Sequence, residues 1–259
     1  MSTAHMVLGD TRDVTAQIPD GSIDLILTSP PFLALRSYLP ADHEDKHREI
    51  GSEATPAEFI DVLLALTAEW ARVLAPHGSL CVELGDTYSG KKGWGDDLGT
   101  AKYPNGRGVG GTRPNTSGEG WPLAKSATMI PELYRVALAY GINPLTGKTS
   151  PAGKWRVRNT VRWHRPNPPV GALADKFRPA TSDMVVACKS AKRWFDLDAV
   201  RTESTATGST TGYRGITEGG DRKPTGSHPA GAPPLDTWII PTAPYKGSHF
   251  ATFPKALCE

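Results

Sequence analysis

Ile23-Asp24-Leu25-Ile26-Leu27-Thr28-Ser29-Pro30-Pro31-Phe32 is the stretch on which the reading of this chain turns. Ile23 to Leu27 is almost continuously apolar, the mark of a strand buried on both faces of a parallel sheet. It then stops on a hydroxyl, two prolines and a ring. Neither proline can donate a ladder hydrogen bond, so the pair ends the strand. Gly, Asn or Asp is the usual choice for such an ending. A stiff ending instead holds a small polar group and an aromatic ring in fixed places.

On the N-terminal side, Met6-Val7-Leu8-Gly9-Asp10 reads as a short apolar strand ending in Gly-Asp. On the C-terminal side, Thr55-Pro56-Ala57-Glu58 carries helix-start chemistry: Thr as N-cap, Pro at the first position, Glu at the third. Phe59, Val62, Leu63, Leu66, Trp70, Val73 and Leu74 follow at helical spacing. Pro76-His77-Gly78 ends the helix, and Ser79 to Leu84 is the next strand. Strand, helix, strand is the unit of a doubly wound α/β sheet. Further on, the pattern predicts a helix near 129–140, strands at Val157–His164 and Met184–Cys188 joined through Arg165-Pro166-Asn167-Pro168-Pro169, and a last strand at Trp238–Ile240.

Two segments lack periodicity. Residues 88–122 are rich in Gly, with Lys91, Lys92, Lys102, Arg107 and Arg113 among Trp94, Tyr103 and Trp121. They read as a mobile loop, either a surface excursion or a lid that orders on nucleic acid. Residues 201–234 are Thr, Ser, Gly, Pro and charge, including Arg201, Arg214, Arg222 and Lys223. The organisation expected is a catalytic core over 1–195, a target-recognition segment over 196–236, and a return to the core over 237–259.

The 259 residues suffice for one sizeable core, and 38% hydrophobic with 22% charged residues is the composition of a globular protein. No apolar run approaches a membrane span and the N-terminus lacks a signal-peptide pattern, so a cytoplasmic protein away from membranes is expected. Cys81, Cys188 and Cys258 are far apart and form no CxxC, and the seven His residues show no metal-ligand spacing. No metal is expected. The formal charge of +2 permits a nucleic-acid partner without requiring one.

In a parallel α/β sheet, ligands bind at the carboxyl ends of the strands. Asp10, Thr28 to Phe32, and Gly85-Asp86 all fall at such ends. No Walker lysine, GxSxG elbow or GxGxxG accompanies them, which removes support from phosphoryl transfer, triad hydrolysis and hydride transfer. The groups suit transfer to an exocyclic amine. The lone pair of an aromatic amine is delocalised into its ring, and two acceptors, the Ser29 hydroxyl and the Pro30 carbonyl, would hold its hydrogens and free that lone pair. Phe32 would stack on the base. A duplex base reaches such a pocket only when flipped out.

At this point the chain resembles the DNA amino-methyltransferases, whose motif reads (D/N/S)-P-P-(Y/F). Its Thr28-Ser29-Pro30-Pro31-Phe32 looks most like the cytosine-N4 enzymes, whereas the adenine-N6 enzymes more often carry Asp. Trp70 to Leu80 is similar to the family's R-V-L-K-P-G-G turn, Asn159 to Pro168 to its I-W-x-K-P-N segment, Lys192 to Arg201 to a following segment, and His249 to Pro254 to its F-P stretch. The resemblance implies a Rossmann-like S-adenosylmethionine-dependent methyltransferase sheet with inserted loops. It implies Ser29, Pro30, Pro31 and Phe32 as catalytic residues, and Gly9, Asp10, Thr28 and Phe253 on S-adenosyl-L-methionine. The partner would be double-stranded DNA with a flipped base, methylated directly on cytosine N4 as in restriction-modification systems, without a covalent adduct. Asp10 has a second reading as a helix N-cap, Phe253 and Trp163 as core, and Asp86 as a cap.

The family's D-P-F-x-G-S-G-T-T cofactor motif, which follows the F-P stretch, is absent from these 259 residues, so the sheet is expected to be incomplete. A shortened chain, a split enzyme completed by a second chain carrying that motif, and a degenerate product are the accounts left open. Beside cytosine-N4 methylation stand adenine-N6 methylation and a non-catalytic, DNA-binding half of a methyltransferase.

Overall fold

The longest helix shows how local chemistry builds this chain. In the computed structural model, which describes residues 3–40, 42–90, 115–168, 175–203, 230–245 and 252–259, Thr55 accepts a hydrogen bond from the Glu58 amide and Pro56 occupies the first turn of α2 (Pro56–Val73). That helix follows α1 (Thr11–Thr15) and β1 (Ile23–Thr28) and leads without a loop into β2 (Leu74–Leu84); α3 (Ile130–Tyr140), β3 (Arg156–His164), β4 (Thr181–Cys188) and β5 (Thr237–Ile239) complete the order. Lys189 closes the far end of α2 by donating its ammonium to the carbonyls of Ala71 and Leu74, where the helix dipole favours a cation.

The strands form one sheet in the order β1-β2-β4-β3-β5. β1 runs parallel to β2, β4 is antiparallel to both of its neighbours, and β5 is parallel to β3. The result is a mixed, incomplete Rossmann-like sheet. β4 is the buried centre, with every residue after Thr181 enclosed. Among the described residues β1 has β2 alone as its neighbour; Leu25 is 55% exposed, and the predicted two-sided burial belongs to β4 instead. Between Ile23 and Leu25 the β1–β2 register shifts, which carries Pro76 and His77 out of line. A Cβ at Gly78 would lie 2.8 Å from the Asp24 carbonyl oxygen, so glycine permits that approach.

Met6 to Asp10 forms no strand, contrary to expectation. Met6 and Leu8 are 99% and 100% exposed. An extended segment becomes a strand only where another edge takes its N–H and C=O groups, and none does here among the described residues.

The two faces of the sheet differ. One buries Leu80, Val82, Leu84, Val185 and Ala187 under α2 and α3, through Phe59, Leu63, Tyr134 and Leu138. The other holds Val161, Trp163, Met184 and Val186, with Leu257 and half-buried Phe253 against them. Trp163 and Phe253 thus take core positions, whereas Trp194 is 72% exposed. The chain separates into two compact units, Met1–Arg193 with Thr237–Glu259, and Trp194–Asp236. Within the second, Arg201 pairs with Asp198 and donates to the Gly231 carbonyl. Residues 91–114 and 204–229, with the loop cations and aromatics expected there, lie outside the described residues, as do Pro169 and His249.

Candidate active site

β1 and β2 end on the same rim, and β4 begins there because it runs the other way, pairing Asp183 with Leu84. Ser29, Pro30, Pro31 and Phe32 leave β1 at this rim together. Pro30 is buried and the other three are half-buried. The Ser29 hydroxyl donates to Glu83 Oε2 on β2 at 2.5 Å. Glu83 is 3% exposed, and a carboxylate so enclosed needs partners to offset lost hydration. Arg165, just after β3, supplies opposite charge nearby: burial lowers its pKa while the Glu83 carboxylate acts to raise it. The Arg165 guanidinium lies 5.0 Å from the Trp163 ring centroid and donates to Ser182 Oγ at 2.9 Å.

The Pro31-Phe32 end of the bracket is braced by two glycines. A Cβ on Gly85, at the end of β2, would sit 2.6 Å from Cε2 of Phe32, so the ring lies directly on that glycine. On the other side, Gly51 at φ +91° lies against Pro31 and the Phe32 carbonyl, where a Cβ would come within 3.2 and 3.0 Å. Its carbonyl accepts from the Ala34 amide at 2.8 Å, and its own amide donates to Glu53 Oε2 at 2.8 Å. Ala34 takes φ +53°, a left-handed conformation uncommon for a non-glycine residue. Burial pushes the Glu53 carboxyl up, against the hydrogen bonds it accepts. The bracket is therefore held by a carboxylate beneath Ser29 and a second one behind Gly51.

Asp10 takes the capping role. Its carboxylate accepts the Arg12 amide at the start of α1 and binds the Arg12 guanidinium at 2.9 and 2.6 Å, with Arg48 at 3.7 Å. The Arg12 hydrogen bonds hold its pKa down to about 2. Gly9 backs onto Val14, Thr28 pairs with Val82 inside the sheet, and Phe253 packs on the second core face. A cavity of about 230 Å³ lies near Asp10, lined by Arg12, Lys46, Arg48, Glu49, Ser52 and Glu53. It includes neither Ser29 nor Phe32, so it is not the place where a base would meet the bracket. Asp86 is also structural: it accepts from the Thr128 hydroxyl and from the Met129 and Ile130 amides, capping α3 from another segment.

Sequence reasoning missed Glu83, Glu53, Gly51 and the glycine contact beneath Phe32. The signal for Glu83 was present: a lone carboxylate inside an apolar strand run, which is rarely buried without a purpose or a partner. Nothing local marks the other three, because their roles come from contacts between separate segments. Among the described residues no His, Cys, Asp and Glu group could hold a metal, and no helix is long and apolar enough to cross a membrane.

The type II methyltransferase M.SfiI of Streptomyces fimbriatus is 30% identical over 196 residues, 76% of this chain and 38% of that protein. The type II methyltransferase M.Cfr9I of Citrobacter freundii is 28% identical over 258 residues, 99% of this chain and 71% of that protein. The chain thus spans well under half of the first relative and about seven-tenths of the second. In structure it resembles the PvuII DNA methyltransferase (cytosine-N4-specific), with a TM-score of 0.52 at 14% identity, over 93% of this chain and 58% of that one, a likeness of fold. The family described as DNA methylase (N6_N4_Mtase) matches residues 23–259, nearly all of the chain, and the chain belongs to that family of N6/N4 DNA amino-methyltransferases.

Proposed function

We propose that the chain methylates the exocyclic N4 of a cytosine flipped out of duplex DNA, with S-adenosylmethionine as methyl donor. The observation that carries this reading is the Ser29–Glu83 hydrogen bond at the end of β1. Because Ser29 donates its hydroxyl hydrogen bond to Glu83, the lone pairs of its oxygen face outward as acceptors. They take one amine hydrogen and the Pro30 carbonyl takes the other, which turns the nitrogen lone pair toward the incoming methyl group. Phe32, seated on Gly85, stacks on the base and offsets part of the few kcal/mol that flipping costs. Methyl transfer forms N–CH3 as the donor's S–CH3 bond breaks, the donor would leave as a neutral thioether, and the positive charge passes to the nitrogen. The nitrogen loses one proton to Ser29 Oγ while the Ser29 proton passes to Glu83, so the relay ends with neutral amine and protonated Glu83.

Ser at the head of the motif favours cytosine over adenine, and the cytosine-N4 specificity named for the PvuII relative runs the same way. Segment 196–236 is proposed to choose the sequence around the target. The placement of Asp10 as a cap favours a second reading, a DNA-binding half that needs cofactor residues from elsewhere. One experiment separates the readings. The purified chain is incubated with unmodified DNA and isotopically labelled S-adenosylmethionine, and the digested nucleosides are resolved by mass spectrometry. Labelled N4-methylcytosine is expected. Labelled N6-methyladenine alone would reassign the base, and no label together with no binding of S-adenosylmethionine would establish the non-catalytic reading.

A further inference from the structure

Phe177 is 98% exposed, and a single exposed ring is by itself ordinary. Its setting is not. The residues before it are tied down across the rim: Asp175 pairs with Lys125 at 2.7 Å, and the Lys176 ammonium lies 3.6 Å from the centroid of the Tyr88 ring. After it come exposed Arg178 and then Pro179, and the Ala180 carbonyl is held by the Arg165 amide at 2.8 Å. The segment is fastened on both sides while its apolar ring stands in water.

Tyr88 lies three residues beyond Gly85, on which Phe32 rests, so its backbone is within about 10 Å of that glycine. Phe177 thus stands on the rim that carries the base bracket, where the chain enters β4, flanked in sequence by Lys176 and Arg178. This is the arrangement of a wedge: an exposed cation, Arg178, for a backbone phosphate and an apolar ring for the gap between bases. Removing a base from the stack leaves its partner unstacked, and a ring that fills the gap recovers part of that loss.

We propose that Phe177 enters the base stack of duplex DNA where the target base leaves it, while Arg178 faces a flanking phosphate and Lys176, seated on the Tyr88 ring, anchors the segment. This rests on the base-flipping reading above. The partner surface is paired DNA next to the flipped nucleotide, and the wedge has work to do only when the target has a partner base opposite it.

The test uses the full chain on a duplex carrying its methylation site, mapped by sequencing the DNA of a host that expresses it. A second duplex has an abasic residue opposite the target. Phe177→Ala is expected to lower kcat/KM on the paired duplex about 10- to 100-fold, the scale of one unstacked step, and by no more than about threefold on the abasic one. Phe177→Trp is expected to keep paired-duplex activity within about threefold, since it preserves a stacking face. Equal loss on both duplexes, or no loss on the paired one, overturns the wedge while leaving methyl transfer intact. Wild-type chain that yields no mapped site overturns the methyl-transfer reading, and the wedge with it.

Discussion

Ser29 and Glu83 are 54 positions apart, yet one short hydrogen bond joins them. If that bond makes Ser29 an acceptor, Ser29→Ala lowers kcat by about 100-fold or more with little change in KM for DNA, the usual scale of lost proton transfer. Steady-state methylation kinetics check this, and a change confined to KM would contradict it. Gly85→Ala would drive a methyl group into Phe32, so base stacking should weaken and KM for DNA rise while the sheet still folds. Glu53 is a pH probe of the same bracket. Its pKa is raised by burial, so the folded state holds its proton more tightly than the unfolded chain does. Its stabilising contribution is present at low pH and is lost as pH rises from the ordinary glutamate range through the folded value. Glu53→Gln keeps an acceptor for the Gly51 amide and removes the charge. Urea unfolding at pH 5 and pH 7.5 should show a smaller loss of stability with pH than in the wild type, and a variant less stable at pH 7.5 by about 1 kcal/mol or more would contradict this. The Ser-Pro-Pro-Phe run was legible because its prolines interrupt a strand, whereas Glu53 and Gly51 were not, since their meaning arises only where two loops meet.

Among the elements, α2 could be read nearly to its ends, because Thr55 and Pro56 are local signals and the helix begins where they place it. Its far end was less legible: Lys189, far along the chain, supplies the closing charge. α3 makes the same point. Its own N-cap position, Met129, is left-handed and offers no side-chain cap, so Asp86, 44 positions before Ile130, takes the exposed amides. Asp86→Ala should cost about 1–2 kcal/mol of stability, in the upper range for a lost cap, measured by urea denaturation. A change below about 0.3 kcal/mol would show that the carboxylate does not hold the helix. Met6 to Asp10 is the element that went the other way. Apolar pattern alone predicted a strand there, but a strand also needs an edge to pair with, and that is a property of neighbours rather than of the segment.

Across the whole molecule, the element order and the rim that gathers Ser29 and Phe32 followed from the strand–helix–strand pattern, while the antiparallel run of β4 did not. Periodicity marks a strand as buried without giving its direction, so the mixed sheet emerged only from the pairing. Its centre is β2 and β4, and its edges are β1 and the three-residue β5. Amide hydrogen exchange should accordingly be slowest in Val82–Leu84 and Met184–Ala187 and faster by orders of magnitude in β5, because local opening frees short edges first. The chain belongs to the DNA methylase family, and on the proposed reading Ser29, the Pro30 carbonyl and Phe32 serve an exocyclic amine at this rim. The most direct test of that claim is mass spectrometry of nucleosides from two otherwise unmodified hosts, one expressing the wild-type chain and one expressing Ser29→Ala at equal soluble level. The account predicts N4-methylcytosine in the first and its loss in the second. Equal N4-methylcytosine in both would contradict it.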